Sequence, residues 1–175
     1  SSRDKERNIW IKEGTGWKYR LVNGTYFSGK TVQDPATGKF VEQVAWKKIR
    51  NAWWAFGADG YLRTGWVYDY SAGKWYYVDE NAGMKTGWYL DPQDDKWYYL
   101  DQITGEMLTD WQWIADWGYM YLNPYAPQPT WTYDEESKKW SYMEGVGRPY
   151  GSLYIDEWTP DGYYVNKDGV WDPSK

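Results

Sequence analysis

Aromatic and polar positions alternate in short bursts along this chain, and the bursts recur. In "GKWYYVDENAGM", starting at Gly73, an extended backbone would send Trp75 and Tyr77 to one face and Tyr76 and Val78 to the other. The stretches between bursts, such as "DYSAGK" and "DPQDDK", carry the Pro, Gly, Ser and Asp that turns use. No segment shows a convincing apolar stripe at the helical period. Each pair of bursts therefore reads as a β-hairpin, followed by a loop holding Gly83 or Gly105.

The hairpins form a repeat. "TGWVYDYSAGKWYYVDENAGMKT" at Thr64 aligns with "TGWYLDPQDDKWYYLDQITGEMLT" at Thr86, and in each the two tryptophans stand nine apart, Trp66 to Trp75 and Trp88 to Trp97. "TDWQWIADWGYMYL" at Thr109 keeps Trp111 but has Asp110 for the glycine and Tyr119 for the second tryptophan. "TWTYDEESKKWSYM" restores the nine-residue step between Trp131 and Trp140, and the chain ends on a shortened unit with Trp158, Tyr163 and Tyr164. Upstream, Trp46 pairs with Trp53 and Trp10 with Trp17, each seven apart. About seven units result. A lone hairpin is marginal in water, so neighbours must bury one another's rings. The predicted fold is an elongated all-β solenoid of stacked β-hairpins.

The array is expected over residues 9–175, clearest over 45–143, after a polar tail or linker at 1–8. Residues 28–45 interrupt the period and read as an inserted loop or an extra hairpin turning at "DPATGK". The three prolines of "NPYAPQPT", 123–130, predict a bend or a stiff connector. The opening "SSRDKERN" suggests attachment to another domain in a longer chain.

Composition changes the picture of the core. Aromatics make up 22% of the chain, with 16 Trp, 19 Tyr and 3 Phe, whereas Leu, Ile and Val together number 22. An aromatic, distributed core is expected. The net charge of −5 and the absence of a basic stripe argue against nucleic acid as a partner. No apolar run is long enough for membrane insertion by a helix. Cysteine and histidine are both absent, which removes thiol chemistry, the usual general base and the commonest metal ligand.

The units "TGW…GKWYYVDENAGMKTGW…DKWYYLDQITGEM" resemble the cell-wall-binding repeats shared by choline-binding proteins, glucan-binding surface proteins and the receptor-binding ends of clostridial toxins. That resemblance implies a left-handed hairpin solenoid on a secreted bacterial cell-surface protein. Its partner would be choline on cell-wall teichoic acid, or a glucan. In choline-binding members the ligand sits between successive hairpins, caged by two tryptophans of one repeat and an aromatic of the next. Carried onto this chain, a first cage would use Trp66, Trp75 and Tyr98, lined by Met84. A second would use Trp88 and Trp97, closed by Trp111 or Tyr119. Trp131 with Trp140, and Trp46 with Trp53, would begin two more.

The chemistry of such a cage is general: a quaternary ammonium donates no hydrogen bond and is held by the negative faces of aromatic rings. The simpler reading of most of these tryptophans is solenoid core, with Gly65 and Gly87 as backbone necessities and the methionines as gap fillers. The carboxylates Asp91, Asp94, Asp95, Asp134, Glu135 and Glu136 fall in turns, and no motif orders a catalytic pair. "DPQDD" lacks the spacing of a calcium loop. The expectation is a non-catalytic module, without cofactor or metal, that anchors to a choline-decorated polymer. A module binding a glucan or a host glycan, or a structural adhesin stalk, is the alternative.

Overall fold

The computed structural model describes residues 9–124, 131–134, 139–142 and 148–175, with the backbone alone described over 131–134 and 139–142. The expected tail at 1–8 and most of the proline-rich stretch at 123–130 lie outside these residues.

The described chain is all β, without a helix. The strands are β1 (Ile9–Glu13), β2 (Gly16–Arg20), β3 (Lys30–Gln33), β4 (Phe40–Gln43), β5 (Ala45–Ile49) and β6 (Ala52–Phe56). They continue with β7 (Leu62–Arg63), β8 (Gly65–Asp69), β9 (Lys74–Asp79), β10 (Gly83–Met84), β11 (Gly87–Asp91) and β12 (Lys96–Leu100). The last are β13 (Asp110–Ile114), β14 (Gly118–Leu122), β15 (Trp131–Asp134), β16 (Lys139–Tyr142), β17 (Glu157–Trp158) and β18 (Tyr164–Val165). Each sheet is a small antiparallel hairpin, in two cases with a third strand.

Local chemistry explains the hairpins. The Asp69 carboxylate accepts the backbone N–H of Ser71 at 3.0 Å, and that of Asp91 accepts Gln93 N–H at 2.8 Å, so each turn is held by the last residue of its first strand. Gly65 and Gly87 open β8 and β11 at φ of 79° and 77°, where a side chain is strained. Asp110 takes the same conformation at φ 69°, and its carboxylate accepts the Trp111 N–H at 2.8 Å. Aspartate tolerates this region better than most residues, which is why it can stand in for glycine there.

The repeating unit is a hairpin plus a short third segment. Phe56 pairs with Leu62, Val78 with Met84, Leu100 with Met107, Leu122 with Leu153 and Val165 with Trp171. These segments also bond backward. The N–H of Met107 donates to the Trp75 carbonyl, that of Leu153 to Trp97 and that of Trp171 to Tyr119, each at 2.8 Å. Consecutive units are thus stitched by backbone as well as by rings.

Two details differ from the sequence expectation. The deepest positions are not the tryptophans but one residue per unit, Phe56, Val78, Leu100, Leu122 and Val165, each 0% exposed. Each stands at or beside the end of the middle strand and is flanked by both other segments of its unit, which cover it from both sides. The second difference concerns Trp131 and Trp140. Their strands pair as a separate hairpin, while Asn123 N–H donates to the Ser152 carbonyl at 2.8 Å and Tyr154 N–H to Tyr121 at 2.9 Å. The ladder runs from β14 straight to Leu153, and the β15–β16 hairpin is an excursion inserted between Asn123 and Ser152. A nine-residue tryptophan step specifies a hairpin, but membership of the ladder depends on the third segment. Residues 28–45 form a further hairpin of their own, β3–β4, closed where Gly38 N–H meets the Asp34 carbonyl at 2.7 Å.

Replacing Leu122 by Ala should cost about 2–5 kcal/mol, since it opens a void where all three segments of a unit meet. Replacing Trp113, 66% exposed on the same hairpin, should change stability by less than about 1 kcal/mol. Chemical denaturation of the two variants checks the contrast.

Candidate functional site

Stacking creates one aromatic position between each pair of units. Two rings come from one hairpin, a third from the middle strand of the next, and an apolar residue from that unit's third segment. By this geometry the successive sets are Trp46, Trp53, Tyr76 and Met84; then Trp66, Trp75, Tyr98 and Met107; then Trp88, Trp97, Met120 and Leu153. A fourth set holds Trp111, Tyr119, Tyr163 and Trp171.

A hydrogen bond across the step orients the first-strand tryptophan in three of the four sets. Trp46 Nε1–H donates to Asp69 at 2.9 Å, Trp66 Nε1–H to Asp91 at 2.7 Å, and Trp111 Nε1–H to Asp161 at 2.8 Å. In the first two cases the acceptor is the aspartate that also holds the next hairpin's turn. One carboxylate thereby fixes a turn and the indole of the preceding unit. Burial by itself would push the Asp69 carboxyl up, but hydrogen bonds from Gln43, Ser71, Trp46 and the Ala72 amide outweigh it and hold the group below its usual range.

The first set encloses a cleft of about 290 Å³, lined by Trp46, Trp53, Tyr76, Met84 and the Asp69 carboxylate, with Ile103 and Thr104 at its rim. The Trp46 and Tyr76 ring centroids are 5.0 Å apart at a steep angle, and Trp53 remains 43% exposed. The walls are π faces, a thioether and an anion.

The second set is covered. Trp75 and Tyr98 are 3% and 1% exposed, and Trp66 meets Tyr98 at 4.9 Å between centroids. Its cover includes the segment returning from the excursion: Pro149 is fully buried and Gly151 lies against Met107. Arg148 on that segment donates to Asp91 at 2.7 Å, Asp94 at 2.9 Å, Gln93 at 2.6 Å and the Tyr98 hydroxyl at 3.0 Å. Its guanidinium carbon stands 5.9 Å from the Tyr98 ring centroid. The Tyr98 hydroxyl in turn donates to Asp94, and burial, followed by that hydrogen bond, pushes the phenol well above its ordinary range. An internal cation therefore sits beside the rings predicted to hold an external one.

The third set also opens to solvent, as a cleft of about 290 Å³ lined by Trp88, Trp97, Trp117, Met120, Leu153, Ile155, Lys167 and Asp168.

These positions sort the residues named from the sequence. Trp66, Trp75 and Tyr98 come together, but Met84 lies one step earlier, with Trp46 and Trp53, because a third segment contacts the unit before its own. Met107 takes the place expected for Met84. Trp88 and Trp97 share a cleft, which Met120 closes. Trp111 instead meets Tyr163 at 5.9 Å, and Tyr119 lies on Trp113 at 5.0 Å. Strand alternation is the reason: Tyr119 occupies the Trp97 position of its hairpin and Met120 the Tyr98 position. The side chains of Trp131 and Trp140 lie outside the described residues. Tyr76, Asp69, Asp91 and Arg148 escaped the sequence reading. The aspartates carry a signal, standing three residues after Trp66 and Trp88, whereas Arg148 carries none.

No family model matches the chain, and no curated protein matches it. Among solved structures it is similar to choline binding protein F from Streptococcus pneumoniae, with 33% identity over 93% of this chain and 56% of that one, at a TM-score of 0.41. It is also similar to CbpJ from Streptococcus pneumoniae TIGR4, with 28% identity over 93% of this chain and 57% of that one, at a TM-score of 0.41. A pneumococcal cell-wall endolysin from phage Cp-1, complexed with choline, shares 24% identity over 95% of this chain and 37% of its own length, at a TM-score of 0.47. The chain spans a little over half the length of the two choline-binding proteins.

Two outcomes follow. Because the Asp69 carboxyl is held below its unfolded value, its contribution to stability is present above about pH 4 and lost as pH falls through the folded value. Asp69→Asn should reduce the stability lost between pH 6 and pH 3, read from denaturation midpoints. Arg148→Ala should loosen the cover of Tyr98, whose hydroxyl Arg148 meets at 3.0 Å, seen as faster exchange of that hydroxyl proton, assigned with Tyr98→Phe.

Proposed function

We propose that this chain, with its choline-binding structural neighbours, is a non-catalytic surface-binding module that takes a choline-type cation between hairpins. The observation that carries this reading is the cleft of Trp46, Trp53, Tyr76 and Met84 with the Asp69 carboxylate at its wall. A trimethylammonium group needs no hydrogen-bond partner. It gains about 0.5–2 kcal/mol from a ring face as the site sheds water, and nearby negative charge adds to this. The cleft offers ring faces and an anion, and no cationic side chain lines it.

One such contact set is weak. Its use would come from a polymer that repeats the cation and from neighbouring sites, or other parts of a longer protein, that raise the effective concentration. This supports a role in holding a protein to a choline-bearing polymer, such as teichoic acid, at a bacterial cell surface. A stacked, extended array of units suits that task.

Choline titration at millimolar concentration should shift the indole N–H resonances of Trp46 and Trp53. Trp53→Ala, at a half-exposed position, should weaken that response at least tenfold while far-UV circular dichroism stays unchanged. A parent protein that gives no choline response at these residues overturns the reading.

A further inference from the structure

Gln43 stands outside the lining of the Trp46–Trp53 cleft, yet it holds the carboxylate at the cleft wall. It ends β4, on the inserted hairpin, and its side-chain amide reaches the turn of the next ladder unit. Nε2 donates to Asp69 Oδ1 at 2.9 Å and to the Val44 carbonyl at 2.8 Å, while Oε1 accepts the Ser71 N–H at 2.6 Å. Turning the amide over would set its oxygen against a carboxylate and a carbonyl, so its neighbours allow only this orientation. The inserted hairpin is itself tied down. Its Glu42 pairs with Arg63 at 2.8 Å and accepts the Ala58 N–H at 2.8 Å, and the Tyr70 hydroxyl donates to its Asp34.

Every donor to Asp69 is neutral. Oδ1 takes the Gln43 amide, the Ser71 N–H and hydroxyl and the Ala72 N–H, while Oδ2 takes the Trp46 indole. Among the described residues no cation pairs with this carboxylate, and Lys74, its partner across the hairpin, is exposed. Asp69 is only 7% exposed, so water screens its charge poorly. The next two steps lack this arrangement. Asp91, in the same place on its hairpin, meets the Arg148 guanidinium at 2.7 Å, and Ile114 takes that place one step further on.

We propose that Gln43 is a positioning residue that sets the charge preference of the Trp46–Trp53 cleft, because its neutral amide fixes Asp69 against the Trp46 indole without neutralising it. A cation entering the cleft then gains from Asp69, whereas an uncharged molecule of the same shape does not. A cationic side chain in place of Gln43 would reach the same turn and cancel the charge, as Arg148 meets Asp91 at the next step. This inference rests on the cation reading of the cleft and adds the residue that tunes it.

The test compares choline with neohexyl alcohol, in which a carbon replaces the quaternary nitrogen and the charge is gone. Both are titrated into the intact chain, following the Trp46 and Trp53 indole N–H resonances. The parent should bind choline about tenfold more tightly than the alcohol. Gln43→Lys should weaken choline about tenfold and leave the alcohol within about twofold, and Gln43→Arg should do the same. Gln43→Met, which removes the amide without adding charge, should keep most of the preference. Retained alcohol binding shows that a variant's cleft is intact. The proposal is overturned if the cationic variants keep the parent's preference, if they weaken both ligands alike, or if Gln43→Met loses as much preference as they do. A parent that binds both ligands equally also overturns it, and leaves the rings as the source of binding. A parent that responds to neither removes the cation reading and this inference together.

Discussion

Hairpins of the ladder complete one another, and at three of its steps the pairing is fixed by the indole N–H of one unit meeting an aspartate of the next. An isolated two-stranded hairpin has too little surface to bury a tryptophan pair. Stacking supplies the missing cover, but rings alone slide easily over one another. The carboxylates of Asp69 and Asp91 remove that freedom, because the same group that receives the indole is tied into a turn. The backbone bonds from Met107, Leu153 and Trp171 to the preceding unit add a second restraint at the opposite end of the step.

This construction lets a cleft arise from the structural contact itself. The rings that stabilise a step also line its cleft, so small changes at one position alter the chemistry of the cleft without dismantling the ladder. Tyr76, Tyr98 and Met120 are equivalent, yet they stand in an open anionic cleft, a covered core and an open cleft with a cation at its rim. The chemistry is uneven along an even scaffold.

The excursion between Asn123 and Ser152 shows how the scaffold accepts insertions. Its ends are joined by a backbone hydrogen bond, so the ladder passes it as it would a short loop, and loop-closure entropy grows only slowly with length. On its return the segment delivers Arg148 to Asp91, Asp94 and Tyr98. Asp91 thereby serves a turn, an indole and a guanidinium together, and the step that best keeps the repeat pattern is the one that is covered.

The all-β hairpin character, the unit boundaries near each Gly-Trp and the pairing of Trp66, Trp75 and Tyr98 were legible in the sequence, because period-two alternation, turn residues and facing geometry are local properties. The clefts depended on facts that no single repeat contains. Met84 joins Trp46 and Trp53 because a third segment reaches back one unit, and Met120 displaces Tyr119 because alternation along β14 decides which ring meets Trp88. The excursion around Trp131 and Trp140 looked like another unit, since a hairpin carries the same aromatic spacing inside the ladder or outside it. Tyr98 is met by Arg148, fifty residues away in the chain, and only tertiary packing could decide that. Sequence alternation determines which residues share a face, whereas access to that face depends on what the rest of the chain lays over it.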